Sequence, residues 1–230
     1  MEAIVLAGGL GTRLREVVKD IPKPMAPVNN KPFLEYILKY LKVQGIKKVV
    51  LAVGYKWEVI RDYFGTEYEG ITLEYSVEEE QLGTGGAIKQ ALEKCADDNV
   101  FIINGDTYFN VDLRSMLRHH EQVKANLTIA TKRMYEFERY GKIECKNNRI
   151  VKFEEKRFNV EGNINGGIYI CERTLLDLGQ KIKFSFEKDI MERFVNERYF
   201  SAFESDAYFM DIGIPEDYKQ FQLDFQSEQR

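Results

Sequence analysis

The chain has 230 residues, of which 44% are hydrophobic and 30% are charged, and its formal net charge is −4. This length and composition are typical of one globular domain with a sizeable core. The acidic balance excludes the overall basic field on which non-specific binding to nucleic acid or to an anionic membrane depends. Any anionic ligand is therefore expected in a local site, and neither nucleic acid nor a membrane is predicted as a partner.

The cysteine pattern bears on location. Cys95, Cys145 and Cys171 are odd in number and widely spaced, which predicts reduced thiols that pack in the core of a cytoplasmic protein. The first residues lack a signal-peptide pattern, and no segment reaches the length of a membrane span. We expect one domain over residues 1–225 and a polar tail at 226–230.

The first strong signal is a buried strand that runs into glycines. Ile4-Val5-Leu6 is a continuous apolar run, which is typical of a parallel strand buried on both faces. Gly8-Gly9-Leu10-Gly11-Thr12-Arg13 follows, and glycines allow backbone N–H groups to approach a bulky anion. Arg13 adds a planar cation that suits bidentate phosphate contact. We interpret this segment as a phosphate-binding loop.

Other glycine loops fit this segment less well. A Walker loop needs Gly-Lys-Ser/Thr, and no lysine appears before Lys19. A dinucleotide fingerprint that begins at Gly9 would place its third glycine at Leu14. A tight turn without a ligand stays open for the loop taken alone, and the cationic segment ten residues later argues against it.

That cationic segment is rich in proline. Ile21-Pro22-Lys23-Pro24-Met25-Ala26-Pro27 holds three of the five prolines of the chain, so it cannot lie inside a helix or a central strand. A stiff loop of this kind would hold the Lys23 side chain in one direction. A solvated lysine in a connector is the alternative for this segment taken alone.

Strands and helices then alternate. Apolar residues at helical spacing predict a helix from Pro32 to Gly45 and a second helix over 59–64 that ends at Gly65. Buried strands are predicted at 49–53 and 100–103, with an alternating strand at 71–75. This order predicts an α/β fold with a doubly wound, mostly parallel central sheet, which binds ligands beyond the carboxyl ends of its strands.

A second glycine cluster follows the strand at 71–75. Glu78-Glu79-Glu80 precedes Gln81-Leu82-Gly83-Thr84-Gly85-Gly86, which opens a helix. Glycines at a helix start let a flat or charged ligand lie against the backbone, and the acidic triplet favours a nucleobase over a phosphate. A helix-entry turn without a ligand is the alternative.

Isolated polar residues follow in the second half of the chain. Asp106 comes directly after a buried strand, where it either caps the next segment or holds a cation. His119 and His120 point to different faces of a helix, so we expect them to be solvated and not to share a metal. A hairpin is predicted over 140–156, and Asp211 precedes a glycine turn and a final helix.

This set of residues restricts the chemistry. The sequence offers no Ser–His pair and no soft-metal cluster, so neither covalent catalysis nor a zinc centre is expected. Carboxylates together with phosphate oxygens are the ligands that Mg²⁺ prefers. Phosphoryl or nucleotidyl transfer remains, in which positioning and charge neutralisation dominate.

Two segments together, Gly8–Leu14 and Pro22-Lys23-Pro24-Met25, resemble the signature of the sugar-1-phosphate nucleotidyltransferase family. Nearly the whole chain follows the order of motifs in that family. The further motifs are Gly54-Tyr55, Leu82-Gly83-Thr84-Gly85-Gly86, Asn104-Gly105-Asp106, Glu155-Lys156, Asn165-Gly166-Gly167-Ile168-Tyr169 and Asp211-Ile212-Gly213. Within the family, the overall likeness is greatest to guanylyltransferases that act on D-glycero-α-D-manno-heptose 1-phosphate. Arg157 stands where members often have proline.

The resemblance implies a Rossmann-like fold of the nucleotide-diphospho-sugar transferase type. It implies a nucleotide half at about 1–110, and a small β subdomain for the sugar within a half at about 111–225. The implied activity transfers a nucleoside monophosphate from a nucleoside triphosphate to a sugar 1-phosphate, releasing pyrophosphate, with Mg²⁺ as cofactor. GTP and the heptose phosphate match best, giving GDP-heptose for capsule, S-layer or lipopolysaccharide precursors.

Two alternatives to this activity remain open from the sequence. One is a UTP- or dTTP-dependent enzyme for a hexose 1-phosphate, and the other is a non-catalytic module that binds sugar nucleotides. A homo-oligomer is a further expectation.

The resemblance also implies residue roles. Arg13, Lys23, Asp106 and Lys156 are expected to be catalytic, with Asp106 and Asp211 holding Mg²⁺. The expected sugar-phosphate contacts are Gly141, Glu155, Lys156, Asn165 and Gly167. The expected nucleotide contacts are Leu6, Ala7, Gly8, Gly9, Gly11, Thr12, Arg13, Lys23, Gln81, Gly83, Thr84, Gly86, Asn104, Gly105 and Asp106. Gln81 and the glycines do not indicate which base is bound.

Overall fold

The computed structural model describes residues 1–9 and 21–226. The strands are β1 (Glu2–Leu6), β2 (Pro27–Val28), β3 (Lys31–Pro32), β4 (Lys48–Val53), β5 (Glu67–Tyr68), β6 (Ile71–Val77), β7 (Asn99–Asn104), β8 (Thr107–Phe109), β9 (Leu127–Phe137), β10 (Lys142–Lys146), β11 (Arg149–Phe153), β12 (Asn159–Glu172), β13 (Phe200–Glu204) and β14 (Phe209–Asp211). The α-helices are α1 (Phe33–Val43), α2 (Trp57–Phe64), α3 (Gly83–Leu92), α4 (Leu113–Val123) and α5 (Pro215–Asp224). Two 3₁₀ segments (Lys23–Met25, Arg173–Leu178) and a π-helix (Phe186–Glu192) complete the list.

The main sheet has ten strands in the order β10-β11-β13-β9-β12-β7-β1-β4-β6-β5. Its N-terminal part, β7-β1-β4-β6, is parallel throughout. These strands therefore end at one edge of the sheet, and the segments that follow β1, β6 and β7 meet there. The predicted strands at 4–6, 49–53, 71–75 and 100–103 all lie in this part.

The prediction of a mostly parallel sheet is wrong for the rest of the molecule. Of the nine neighbouring strand pairs in the described sheet, only four are parallel, because β12 runs antiparallel between β7 and β9. The local cause is visible at β10 and β11, which are joined by Asn147 and Asn148, both with positive φ. Two residues in that conformation make a tight hairpin turn, and a hairpin is antiparallel by construction.

The antiparallel half curls on itself. β10 pairs with β11 and also with β12, so that β10, β11, β13, β9 and β12 form a ring of five strands. A bulge between Asn165 and Tyr169 interrupts the pairing of β12 with β9. Bulges bend a strand and increase its twist, which helps β12 to belong both to the ring and to the parallel N-terminal sheet.

Hydrophobic residues fill both faces of the sheet. Along β1, Val5 packs into one cluster with α1, α2, α4 and α5, whereas Ile4 packs into a second cluster with α3 and the π-helix. This alternation follows from the strand pleat, which points successive side chains to opposite faces. It explains why β1 is apolar at every position instead of at every second one.

Local sequence signals set the helix ends. Pro32 precedes the first residue of α1, Pro215 occupies the first turn of α5, and the Asp112 side chain accepts a hydrogen bond from the Ser115 N–H at the start of α4. Gly45 and Gly65 follow α1 and α2 with φ of 86° and 63°. The helix boundaries predicted at these positions are confirmed.

The prediction of solvated histidines is wrong. His120 is 2% exposed, and its ring nitrogens contact Thr128 Oγ1 at 2.8 Å and Asn99 Oδ1 at 3.2 Å. Burial lowers the pKa of His120 to about 4, so this imidazole is neutral at physiological pH. His119 bonds to Ser201 Oγ at 2.7 Å. Both side chains join α4 to the sheet.

The cysteine prediction holds in part. Cys95 and Cys171 are free thiols in the core, whereas Cys145 is exposed on β10. Core packing is therefore not the role of Cys145. Within the described ranges, no helix combines the length and the apolar character that a membrane span requires.

Candidate active site

Lys23 and Asp106 form the centre of the site. The Lys23 Nζ lies 2.6 Å from Asp106 Oδ2, although the two residues are 83 positions apart in the chain. Lys23 opens the 3₁₀ turn that Pro22 and Pro24 stiffen, and the Ala26 N–H donates to the Lys23 carbonyl. The proline-rich segment thus holds the ammonium group at the carboxyl end of β7, as its stiffness predicts.

Asp211 reaches the same place from the C-terminal half. It pairs with Thr107 across β14 and β8, and the Ile212 N–H donates to the Asp106 carbonyl at 3.0 Å. Burial and then the charge of Asp106 raise the pKa of Asp211, while its bond from the Gly213 N–H and the nearby Lys23 act in the opposite direction. Burial and the neighbouring Asp106 therefore disfavour the ionised form of Asp211 more than Lys23 and the Gly213 N–H favour it.

A cavity of about 360 Å³ opens beside this centre at the strand ends. Its lining includes ten of the predicted nucleotide contacts: Leu6, Gly8, Gly9, Lys23, Gln81, Gly83, Thr84, Asn104, Gly105 and Asp106. Ala7 and Gly86 do not line it, since both are buried behind the wall. Gly11, Thr12 and Arg13 lie outside the described residues.

The first two glycines of the loop differ in what surrounds them. A Cβ added to Gly8 would lie 2.9 Å from Glu78 Oε1 and 3.2 Å from the Gly54 nitrogen, so the end of β4 leaves little room for a side chain here. A Cβ added to Gly9 would meet no atom of residues 1–9 or 21–226 within 4 Å. Packing against these residues therefore accounts for Gly8 but not for Gly9, which lines the cavity.

The second glycine cluster packs against protein more than the sequence suggests. The Phe184 carbonyl accepts hydrogen bonds from the Gly85 and Gly86 N–H groups, and the Phe184 ring would collide with a Cβ at Gly85. A Cβ at Gly83 would lie 2.6 Å from the Phe184 carbonyl oxygen. Because these glycines lack side chains, the segment before the π-helix can pack against the start of α3. Of these glycines, only Gly83 also lines the cavity.

A second cavity of about 480 Å³ lies on the other side of Asp106. All five predicted sugar-phosphate contacts line it, namely Gly141, Glu155, Lys156, Asn165 and Gly167. Lys142, Lys156 and Lys188 bring positive charge to this cavity, and Asp211 lies in its wall. Gly167 has a φ of 74° and packs against the Asn104 side chain.

The two cavities share part of their lining. Asn104, Asp106 and Glu187 border both, so the Lys23–Asp106 pair stands at the boundary between them. A ligand in one cavity and a ligand in the other would meet at this boundary. Two anions could be held there against fixed cationic charge.

Sequence reasoning missed the segment that covers this boundary. Glu187 accepts hydrogen bonds from Thr84 Oγ1 at 2.7 Å and from Ser185 Oγ at 2.8 Å, and it lies in the π-helix. Lys183 lines the first cavity and Lys188 the second. The sequence signal for these site residues is the cluster of lysines and acidic residues around 181–189. This pattern is equally typical of the exposed start of a helix.

The paired aspartates suit a divalent cation. Among residues 1–9 and 21–226, no group of three or more His, Cys, Asp or Glu side chains could hold a metal alone. Asp106 and Asp211 offer hard oxygen donors, and the charge of Asp106 acts on Asp211, so a cation between them would relieve this repulsion. Both residues would hold the ion only together with ligand phosphates and water, which is how Mg²⁺ is often bound.

These features define an enzyme that brings two phosphate-bearing substrates together at the end of a nucleotide-binding sheet. The nucleotidyl transferase family profile matches residues 2–228, and the chain belongs to this family.

Close relatives share the full length of the chain. It is 54% identical over 227 residues to the D-glycero-alpha-D-manno-heptose 1-phosphate guanylyltransferase of Aneurinibacillus thermoaerophilus, covering 98% of this chain and 99% of the relative. The enzyme of the same name from Campylobacter jejuni is 49% identical over 223 residues, with 96% and 98% covered. Among solved structures, HddC from Yersinia pseudotuberculosis complexed with GMP-PN is 36% identical and has a TM-score of 0.88, with 98% and 99% covered.

Proposed function

We propose that the protein transfers a guanylyl group from GTP to D-glycero-α-D-manno-heptose 1-phosphate, forming GDP-heptose and pyrophosphate. The observation that carries the proposal is the Lys23–Asp106 pair, 2.6 Å apart at the boundary of two cavities, with Asp211 beside it. The names of the two relatives at 54% and 49% identity support the choice of base and sugar. The product would serve as a precursor of capsule, S-layer or lipopolysaccharide.

The proposed arrangement assigns one substrate to each cavity. The triphosphate would lie against the glycine loop after β1, with the base toward Gln81 and Gly83 in the first cavity. The sugar would lie in the second cavity, with its phosphate near Lys156. The N-terminal half would then act as a doubly wound unit of Rossmann type, and the five-stranded ring would act as the β subdomain for the sugar.

The proposed reaction needs no protein nucleophile. An oxygen of the sugar 1-phosphate attacks the α-phosphorus of GTP, the new P–O bond forms as the bond to the β-phosphate bridging oxygen breaks, and pyrophosphate leaves with the electron pair. A phosphate monoester has a second pKa near 6, so it is already largely a dianion at pH 7. Lys23 would offset the charge that accumulates at the reacting phosphates, and Lys156 would hold the attacking one.

The proposal also covers the bound metal ion, the cellular location and the oligomeric state. Asp106 and Asp211 would hold Mg²⁺, which when bound supplies charge neutralisation between the two phosphate groups. A cytoplasmic location agrees with the free state of Cys95, Cys145 and Cys171. A homo-oligomer stays a prediction.

A substrate panel tests this proposal. Pyrophosphate release is measured with GTP, ATP, UTP, CTP and dTTP against manno-heptose, mannose and glucose 1-phosphates, each with Mg²⁺ or with chelator. We expect the highest kcat/KM for GTP with the heptose phosphate, and none of this activity in chelator. A preference for UTP or dTTP with a hexose phosphate would replace the proposed substrates.

A further inference from the structure

The segment that carries Lys23 has few backbone donors. Three of the seven residues from 21 to 27 are prolines, which have no N–H group. The Met25 N–H donates to the Pro22 carbonyl at 2.8 Å. The Ala26 N–H donates to the Lys23 carbonyl at 3.0 Å. These two bonds close the turn on itself, so its position relative to the rest of the site is set by other contacts.

Two helices hold the chain that follows this turn, and both bond to its carbonyl oxygens. On α1, the Tyr36 hydroxyl donates to the Val28 carbonyl at 3.1 Å. On α5, the Tyr218 hydroxyl donates to the Pro27 carbonyl, a bond between residues 191 positions apart. Because Pro27 follows Lys23 by only four residues, the bond from α5 acts close to the lysine.

The helix α5 is also the element that follows Asp211. Pro215 begins α5 four residues after this aspartate. The Gly213 N–H donates to Asp211 Oδ1 at 2.7 Å, and a Cβ built on Gly213 would lie 3.1 Å from Lys23 Nζ. The turn that leads into α5 therefore lies close to the ammonium group of Lys23. The same helix contacts the Lys23 segment through Tyr218 and continues from the carboxylate beside that ammonium group.

The ring and the hydroxyl of Tyr218 have separate contacts. The residue is 4% exposed, and its ring belongs to the hydrophobic cluster that α1 and α5 share. Burial raises the pKa of Tyr218, so the hydroxyl stays protonated and acts as a donor. A phenylalanine would keep the packing of the ring and lose the bond to the Pro27 carbonyl. The effect of the bond can therefore be measured apart from the effect of the packing.

We propose that Tyr218 is a positioning residue for Lys23: its bond to the Pro27 carbonyl fixes the Lys23 turn against α5 and so keeps the ammonium group in place beside Asp211. The inference rests on the proposed nucleotidyl transfer, and Tyr218 lines neither of the two cavities. A displacement of about 1 Å can lower a rate about 100-fold when positioning dominates the reaction. A bond outside the cavities can therefore affect turnover through Lys23.

The test compares Y218F with Y208F in the full-length protein. Tyr208 also bonds to α5 through its hydroxyl, which donates to Asp224 Oδ2 at 2.5 Å at the last residue of the helix. In Y218F, we expect kcat to fall about 5- to 20-fold and the KM values for GTP and the sugar 1-phosphate to change less than about 2-fold. Y208F should keep the wild-type kcat, because its bond does not reach the Lys23 segment.

A double substitution tests whether Tyr218 acts through Lys23. In the K23A background, Y218F should lower kcat by less than about 2-fold, because the ammonium group that Tyr218 positions has been removed. An equal factor in the wild-type and K23A backgrounds would show that the hydroxyl acts independently of Lys23, and it would overturn the inference.

A second bond between the same parts of the fold provides another variant if Y218F does not fold. Asn29 Nδ2 donates to the Gln222 carbonyl on α5 at 2.9 Å, and Asn29 has a φ of 47°, which glycine adopts readily. N29G should therefore also lower kcat, by about 2- to 5-fold, with both KM values unchanged. A wild-type kcat in N29G together with an unfolded Y218F would overturn the inference.

The outcomes separate this inference from the function on which it rests. A wild type that releases no pyrophosphate with any triphosphate and sugar phosphate of the panel would overturn both. An active wild type with an unchanged kcat in Y218F, or with an equal loss of kcat in Y208F, would overturn only the role of Tyr218. Thermal unfolding of Y218F and Y208F, with similar small decreases expected, shows that a difference in kcat does not come from loss of the fold.

Discussion

The two cavities are lined by different parts of the fold. The first lies at the ends of parallel strands, and Gly8, Gly9, Gly83 and Gly105 are among its lining residues. The second is lined by residues of the five-stranded ring, of the loops beside it and of the π-helix, and its glycines are Gly141 and Gly167. Backbone recognises what all nucleotides share, whereas side chains can be exchanged without disturbing the sheet. Substrate choice is therefore expected to rest on the side chains that line each cavity.

The largest effect is expected where the two cavities meet. K23A removes the cation paired with Asp106, so pyrophosphate release should fall by at least about 10²- to 10³-fold, the range for losing one charge-stabilising group. The fold should persist, as seen by circular dichroism. K47A replaces an exposed lysine that lines neither cavity and should turn over normally. Near-wild-type release by K23A would remove Lys23 from the mechanism.

A second substitution at the boundary separates stability from activity. D211N should lower activity by about 10²-fold or more, since it removes a charge proposed to hold Mg²⁺. The raised pKa of Asp211 means that its ionised form costs folding free energy at neutral pH, a cost that disappears as pH falls through that pKa.

D211N should therefore unfold at pH 7 at the same or a higher temperature than the wild type, measured without ligands. The difference should shrink as the pH falls, because both proteins are then neutral at this position. Full activity of D211N would contradict the metal-holding role, and a lower unfolding temperature at pH 7 would show that the carboxylate stabilises the fold.

A substitution in one cavity alone tests whether the two cavities bind their substrates separately. K156A should raise the KM for the sugar 1-phosphate about 10-fold or more and leave the KM for GTP unchanged, because Lys156 lines only the second of the two cavities. K146A, an exposed lysine on β10 outside the lining, is the matched control. Equal changes in both KM values would mean that the cavities do not bind the substrates separately.

The smallest change tests which glycines serve packing. G85A forces a Cβ into the Phe184 ring and should destabilise the protein by about 1–3 kcal/mol, the usual cost of overpacking. The Cβ of G9A meets no atom of the described residues within 4 Å, so this variant should leave the unfolding temperature unchanged while raising the KM for GTP. Denaturant melts and steady-state kinetics measure both. Equal stability of the two variants would contradict this division.

Much of the N-terminal half could be predicted because its signals are local. The apolar runs of β1, β4 and β7, the helix stop at Gly65 and the stiff loop around Lys23 each follow from neighbouring residues. The placement of the candidate site at the strand ends then follows from the parallel order alone.

Other features of the fold and the site could not be predicted, because they depend on contacts between residues that are distant in the chain. Helical spacing alone predicts a solvated His120, yet this residue is buried, and its ring nitrogens form hydrogen bonds with Thr128 Oγ1 and Asn99 Oδ1. Gly85 and Gly86 look like a ligand platform until Phe184, about a hundred residues later, occupies that space. The same holds for Glu187, whose bond to Thr84 joins residues 103 positions apart.

The ring of strands has a consequence for behaviour in concentrated solution. A sheet with open edges offers unpaired backbone groups to any neighbouring chain, which is a common route to aggregation. At one end of this sheet, β10 turns back to bond with β12, and at the other end β5 is only two residues long. Within the described sheet, strand addition therefore finds its template mainly on the part of β6 that β5 leaves unpaired, residues 74–77.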